Sequence, residues 1–171
     1  MKAAIIFGSR SDTEKMKGAA SCLKEFEIEY KAFILSAHRV PEYLEKTIKD
    51  IEDNNFEVII AGAGLAAHLP GVIASKTILP VIGVPISAGN LDGMDALLSI
   101  VQMPKPITVA AVGINNSYNA GMLAVEILAL KYTEIKNKLI EYRKKMKEDF
   151  IADNDKPIDF DIWIIVENNN F

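Results

Sequence analysis

The stretch "YKAFILSAHRVPEYLEKTIKDIEDNNFEVIIAG", residues 30–62, changes its periodicity twice, and that change decides the fold. Tyr30–Leu35 is a short apolar run rich in strand formers. A polar segment follows, and Pro41 then stands where a helix tolerates proline best, in its first turn. From there to Asn54, Tyr43, Leu44, Ile48 and Ile51 recur at helical spacing. Glu57–Ala61 is again a continuous apolar run. A strand, a helix and a strand in this order make a βαβ unit, with parallel strands joined by a right-handed crossover.

The same alternation extends in both directions. Further strands are expected at Ala3–Phe7, Val81–Val84 and Thr108–Val112. Most of the runs are continuously apolar rather than alternating, as expected of strands buried on both faces. Further helices are expected over Thr13–Phe26, with Ser11 or Asp12 as cap, and over Leu69–Thr77, Asp95–Val101, Tyr118–Leu130 and Tyr132–Phe150. The fold class is therefore α/β: a three-layer, doubly wound parallel sheet, flavodoxin-like in order 2-1-3-4-5, with a long C-terminal helix. Residues 1–150 are expected to form a single catalytic domain, and residues 151–171 a C-terminal extension whose role the sequence leaves open.

Composition narrows the function classes. The chain has 171 residues, 50% of them hydrophobic and 25% charged, enough for one well-filled core. A formal net charge of −4 leaves no basic footprint for nucleic acid. Cys22 is the lone cysteine and falls in a helical apolar pattern, so it reads as core. No Cys/His group has metal-ligand spacing. The N-terminal segment turns polar after seven residues, so neither a signal peptide nor a membrane span is expected there, and a cytoplasmic location is the default.

In a parallel sheet the loops that follow the strands share one edge, and ligands bind where the strand order reverses. After the first strand comes "GSRSD", Gly8–Asp12, whose Ser9 and Ser11 hydroxyls and following helix start suit an anion. After the second comes "SAHRVP", with Ser36, Ala37, His38 and Arg39. Arg39 suits a phosphate clamp. His38 suits proton transfer near neutral pH. After the third comes "AGAGLAAHLPG", with Gly62, Gly64 and His68. Asp12 is suited to sugar hydroxyls rather than to phosphate. Plainer readings stand beside these: Ser11 and Asp12 as helix caps, "GAG" as a tight turn, Arg39 as a surface residue and His68 as a core histidine bonded to backbone. From these residues alone the chain is a small α/β enzyme for a phosphorylated small molecule, with a histidine acid–base.

Taken together, "GSRSD", "SAHRVP", "AGAGLAAHLPG", "GVP" and "LLSIVQMP" (Leu97–Pro104) resemble the PurE family of purine biosynthesis, from Lys2 to about Met146. The resemblance implies a homo-octamer acting on an aminoimidazole ribonucleotide without a cofactor or metal. One branch, the N5-carboxyaminoimidazole ribonucleotide mutases, moves a carboxylate from the exocyclic nitrogen to ring carbon C4. The other, the aminoimidazole ribonucleotide carboxylases, uses CO2 directly. The intact "AAHLPG" segment, Ala66–Gly71, resembles the mutase branch. By position, His38 matches the catalytic histidine. Ser9, Asp12 and Arg39 match substrate-binding residues, Ser11, Ser36 and Ala37 match pocket residues, and Gly64 and His68 belong to the third motif. The chain departs from the family's usual residues at Leu65, at Ile86–Ala88 and at Asn116–Tyr118. A non-catalytic nucleotide-binding module is the reading from another class. It predicts ligand binding without turnover.

Near the C-terminus, Tyr132–Phe150 reads as a charged helix with a solvated face and Lys144, Lys145 and Lys147 at its end, and its stripe of Ile135, Leu139, Tyr142, Met146 and Phe150 is one that a neighbouring subunit of an octamer would cover. "DFDIWIIV", inside Pro157–Phe171, has strand propensity.

Overall fold

The computed structural model describes residues 1–154, so the apolar segment after Pro157 lies outside the described residues. The order is β1 (Lys2–Phe7), a 3₁₀ turn (Arg10–Asp12), α1 (Thr13–Glu25), β2 (Glu29–Ile34), α2 (Pro41–Asp53), β3 (Val58–Gly64), α3 (Leu69–Ala74), β4 (Val81–Ile86), a second 3₁₀ turn (Gly89–Leu91), α4 (Met94–Val101), β5 (Ala110–Ala111), α5 (Ser117–Ala129) and α6 (Thr133–Asn154). Two compact units are present, Met1–Leu139 and a second that begins at Ile140 within α6. In the second, Met146, Phe150 and Ile151 are exposed.

The first unit holds a five-stranded parallel sheet in the order β2-β1-β3-β4-β5, as the strand–helix alternation led us to expect. Ala4 and Ile6 of β1 and Ile59 and Ala61 of β3 join Leu44, Ile48 and Ile51 of α2, Ile73 of α3 and Ile100 of α4 in one apolar cluster. Helices α1 and α5 pack on each other and on the sheet from its other side. Three layers result, and β1, β3 and β4 are buried along almost their whole length.

The expectation of strands buried on both faces fails at the two edges. Strand β2, which carries Glu29 and Lys31 beside its apolar residues, is mostly exposed, with β1 as its sole strand partner. Strand β5 shrinks from the expected Thr108–Val112 to Ala110–Ala111, also exposed. The start of α1 differs in part. Asp12 takes the N-cap position of α1 as expected but its side chain makes no capping hydrogen bond, while Ser9 caps the preceding 3₁₀ turn by accepting from the Ser11 N–H.

The α1–α5 crossing leaves no room for a side chain at Gly18. A Cβ there would lie 2.8 Å from the Tyr118 backbone nitrogen and 2.7 Å from Ser117 Oγ, which itself donates to the Lys15 carbonyl at 2.6 Å. At the opposite end of the sheet, Glu57 accepts from Lys131 Nζ at 2.6 Å and from Tyr132 Oη at 2.8 Å, tying the start of β3 to the α5–α6 turn. Burial pushes the Glu57 carboxyl up, but the bonds from Lys131 and Tyr132 outweigh it and hold it below the usual carboxylate range.

Two predictions follow from these contacts. Alanine gains about 1 kcal/mol over glycine in helix propensity, but overpacking against a fixed backbone costs about 1–3 kcal/mol, so Gly18→Ala lowers the urea midpoint. A raised midpoint would show that the crossing has slack. For Glu57 the folded-state carboxyl is the stronger acid, so its contribution is present above the unfolded value of about 4.3 and fades as pH falls through the folded one. Glu57→Gln is therefore less stable than the parent at neutral pH, and the two urea midpoints converge as the solution is acidified. A gap that stays constant with pH would contradict this.

Candidate active site

The C-terminal ends of β1, β2 and β3 open on one cavity of about 510 Å³. Ser9, Ser11, Asp12, Ser36, Ala37, His38, Arg39, Gly64 and His68 all line it. The strand order makes this unavoidable: β1 lies between β2 and β3, so the three loops start side by side.

The first loop presents hydroxyls and a carboxylate. Ser11 Oγ donates to Ser9 Oγ at 2.9 Å and lies 3.3 Å from Asp12 Oδ1. Because Asp12 caps nothing, its carboxylate is not tied to the helix backbone. The positive dipole end of α1 faces this side, although the N–H groups of Ser11, Asp12 and Thr13 are already bonded to Ser9 and Arg10. Around Gly8 there is open space, with no atom within 4 Å of where a Cβ would stand.

The second loop folds over the first. A turn closed by the Val40 N–H on the Ser36 carbonyl, at 3.1 Å, carries His38 and Arg39 outward. Arg39 Nη2 donates to the Gly8 carbonyl at 2.7 Å, so the guanidinium is tethered at the mouth of the cavity and is no loose surface group. His38 Nε2 lies 2.6 Å from His68 Nδ1, and the two rings meet edge to face at 76°. One of these nitrogens must carry the proton while the other accepts it. His68 is thus no core histidine: it is exposed and faces the other imidazole from the N-terminal end of α3.

The third loop explains the glycines. Strand β3 continues through Gly64, so "GAG" is strand, not a tight turn. A Cβ on Gly62 would lie 2.4 Å from the Met16 sulfur, and one on Gly64 would lie 3.1 Å from Ala88 Cβ. Small residues let α1 and the β4–α4 loop close on the strand. Beyond Gly64, Leu65 takes a left-handed backbone (φ 55°) and Ala67 another (φ 33°).

Ala63, Leu65, Ala66, Ala67, Leu69 and Ala88 also line the cavity, and none was a candidate. Small apolar side chains carry no chemical signature. Their signal is position, just past a strand's C-terminal end, and for Ala66, Ala67 and Leu69 a place in the "AAHLPG" segment. No group of His, Cys, Asp or Glu among the described residues could hold a metal ion, and no helix there is long and apolar enough to cross a membrane.

The sequence pattern of a family described as AIR carboxylase matches residues 2–149. A protein of Pyrococcus abyssi named N5-carboxyaminoimidazole ribonucleotide mutase is 56% identical over 146 residues, covering 85% of this chain and 84% of that one. One of the same name from Pyrococcus horikoshii is 58% identical over 143 residues, covering 84% and 81%. The crystal structure of Treponema denticola PurE superposes with a TM-score of 0.83 at 30% identity, covering 90% of this chain and 96% of that one.

Proposed function

The chain belongs to the AIR carboxylase family, the PurE family that its motifs resemble, and from that premise we propose that it is an isomerase of purine biosynthesis, an N5-carboxyaminoimidazole ribonucleotide mutase. The observation that carries the reading is the single cavity in which an arginine, two hydroxyls, a carboxylate and a histidine pair converge.

The roles follow from the chemistry of each group. Arg39, with the Ser9 and Ser11 hydroxyls and the start of α1, receives the phosphate. Asp12 accepts from the ribose hydroxyls. Ser36, Ala37 and Gly64 form the walls around the imidazole. As the carbamate C–N bond breaks, its electron pair returns to the exocyclic nitrogen, which takes a proton from His38, and CO2 is set free inside the cavity. Ring carbon C4 then attacks that CO2, forming the new C–C bond. C4 briefly carries both a proton and a carboxylate, and His38 removes the proton to restore aromaticity. The nitrogen has gained one proton and C4 has lost one, so the step balances as an isomerisation. His68, in contact with His38, keeps the imidazole oriented between the two transfers. Confinement is the main source of rate, since well-held partners reach effective concentrations of about 10⁵ M or more.

We also propose that the chain works as a homo-oligomer, an octamer by resemblance. Support comes from α4, where Met94, Leu98 and Val101, four and three residues apart, are 52%, 50% and 48% exposed. Such an apolar stripe is the kind of surface a second copy covers.

An assay with both ribonucleotides, with and without bicarbonate, tests the reading. The N5-carboxylated substrate is expected to convert to 4-carboxy-5-aminoimidazole ribonucleotide without bicarbonate. Turnover of the uncarboxylated ribonucleotide that requires bicarbonate would make the enzyme a carboxylase instead, and binding without turnover would make it a binding module. His38→Asn should abolish turnover while calorimetry still detects ribonucleotide binding; near-normal turnover would remove His38 from the mechanism. Arg39→Ala should weaken binding by about 1.5–3 kcal/mol, the scale of a hydrogen bond to a charged group. An unchanged Michaelis constant would end the phosphate assignment.

A further inference from the structure

Lys15 stands one turn past Asp12, on α1, and does not line the cavity. Its ammonium donates to the Ser87 carbonyl and lies 3.2 Å from Ser87 Oγ. From the other side Asn115 Oδ1 accepts from the Ser87 N–H at 2.9 Å, and Asn115 Nδ2 donates to Ser87 Oγ at 2.8 Å. Asn115 is itself anchored through its N–H to the Pro85 carbonyl at 2.8 Å. The N–H, the carbonyl and the hydroxyl of Ser87 are therefore all engaged by two side chains from distant parts of the sequence.

Ser87 is the first residue after β4. The next two, Ala88 and Gly89, bear no polar side chain that could hold the chain in place, yet this is where the β4–α4 loop meets the cavity. Ala88 lines it, with its Cβ against Gly64, and the Leu65 Cδ2 lies 2.9 Å from where a Gly89 Cβ would stand. Because β3 lies between β1 and β4, the bond from α1 to Ser87 spans the end of β3. Lysine has the long, flexible stem that this reach needs, and its charge makes the bond to a carbonyl roughly twice as strong as a neutral one.

We propose that Lys15 is a positioning residue: acting through Ser87, it holds the β4–α4 loop as the wall that keeps released CO2 beside the substrate ring. The inference rests on the mutase reading and adds to it a residue that touches neither substrate nor reacting atoms. Without Lys15 the wall loosens, and CO2 escapes after the C–N bond has broken. The exocyclic nitrogen has by then taken its proton, so each escape yields free aminoimidazole ribonucleotide in place of product.

The test uses the full chain and substrate labelled with heavy carbon in the carbamate carboxyl, in buffer containing unlabelled bicarbonate. Wild-type product should keep the label. Lys15→Met should raise the share of turnovers ending in aminoimidazole ribonucleotide, or in unlabelled product, by about tenfold, the scale of one lost charged hydrogen bond. Ser87→Ala, which leaves the carbonyl for Lys15, should leak less than Lys15→Met, and the double variant should leak no more than Lys15→Met. A general loss of stability would lower turnover without moving the label. Should Lys15→Met fail to fold, Asn115→Ala removes the opposite support and is read in the same way. Label retention equal to wild type in whichever variant folds overturns the proposal. If the wild-type chain converts none of the labelled substrate, the mutase reading itself fails, an outcome distinct from normal turnover with an unchanged leak.

Discussion

The site depends on how close other parts of the chain can come to the end of β3. From Ala61 to Gly64 this strand carries nothing larger than a methyl group. It is the central strand of the sheet, with β1 on one side and β4 on the other. Helix α1 therefore seats Met16 against Gly62, and the β4–α4 loop seats Ala88 against Gly64. Interiors are packed too densely to absorb a misplaced side chain cheaply, so a larger residue at either glycine would lift α1 or the loop away. Lifting α1 would carry Ser9, Ser11 and Asp12 with it, because the 3₁₀ turn runs straight into that helix.

Much of this was legible in the sequence, because it follows from periodicity and topology. Continuous apolar runs marked β1, β3 and β4, and the strand–helix alternation forced parallel pairing and set the loops on one edge. Edge effects were only faintly legible: Lys31 is the one charge within Tyr30–Leu35, and the exposure of most of β2 follows from where the sheet ends. The His38–His68 contact was not legible, since it joins residues thirty positions apart whose side chains meet through loop conformation. The Lys15–Ser87–Asn115 cluster was less visible still. Its members are common polar residues whose plain reading is a solvated surface, and two of its links join residues 72 positions apart. Motif reading finds residues that carry chemistry in themselves, and it passes over those that act by holding backbone in place.

Under the proposed mechanism the polar groups divide by location. Arg39 is already tethered to the Gly8 carbonyl, so less of its side-chain freedom remains to be lost when an anion arrives. Asp12 shares the cavity, and its negative charge would oppose a phosphate placed beside it. The two fit one ligand if phosphate and sugar are separated along it, which a ribonucleotide provides. The imidazole ring then falls toward the histidine pair, where proton transfers are needed.

Retention of CO2 is a different problem, and it is one of packing. A carbamate or a carboxylate can be held by charge, but CO2 between the two is neutral, so no ion pair can keep it in place. What remains is a tight wall with no room for the molecule to turn away or for water to enter. The residues around the third loop offer the apolar part of such a wall: Ala63 and Ala67 are buried and Ala88 half-buried, while Leu65 and Ala66 stand exposed at its rim. Leu65 sits in a left-handed backbone that costs a non-glycine residue about 1–2 kcal/mol, and its exposed apolar side chain stands at the rim of the cavity. A wall of alanines has little of its own to hold it still. Under the proposed mechanism its rigidity has to come from behind, from groups that never meet the substrate, and the charged hydrogen bond from Lys15 to the backbone just before Ala88 is placed to supply it.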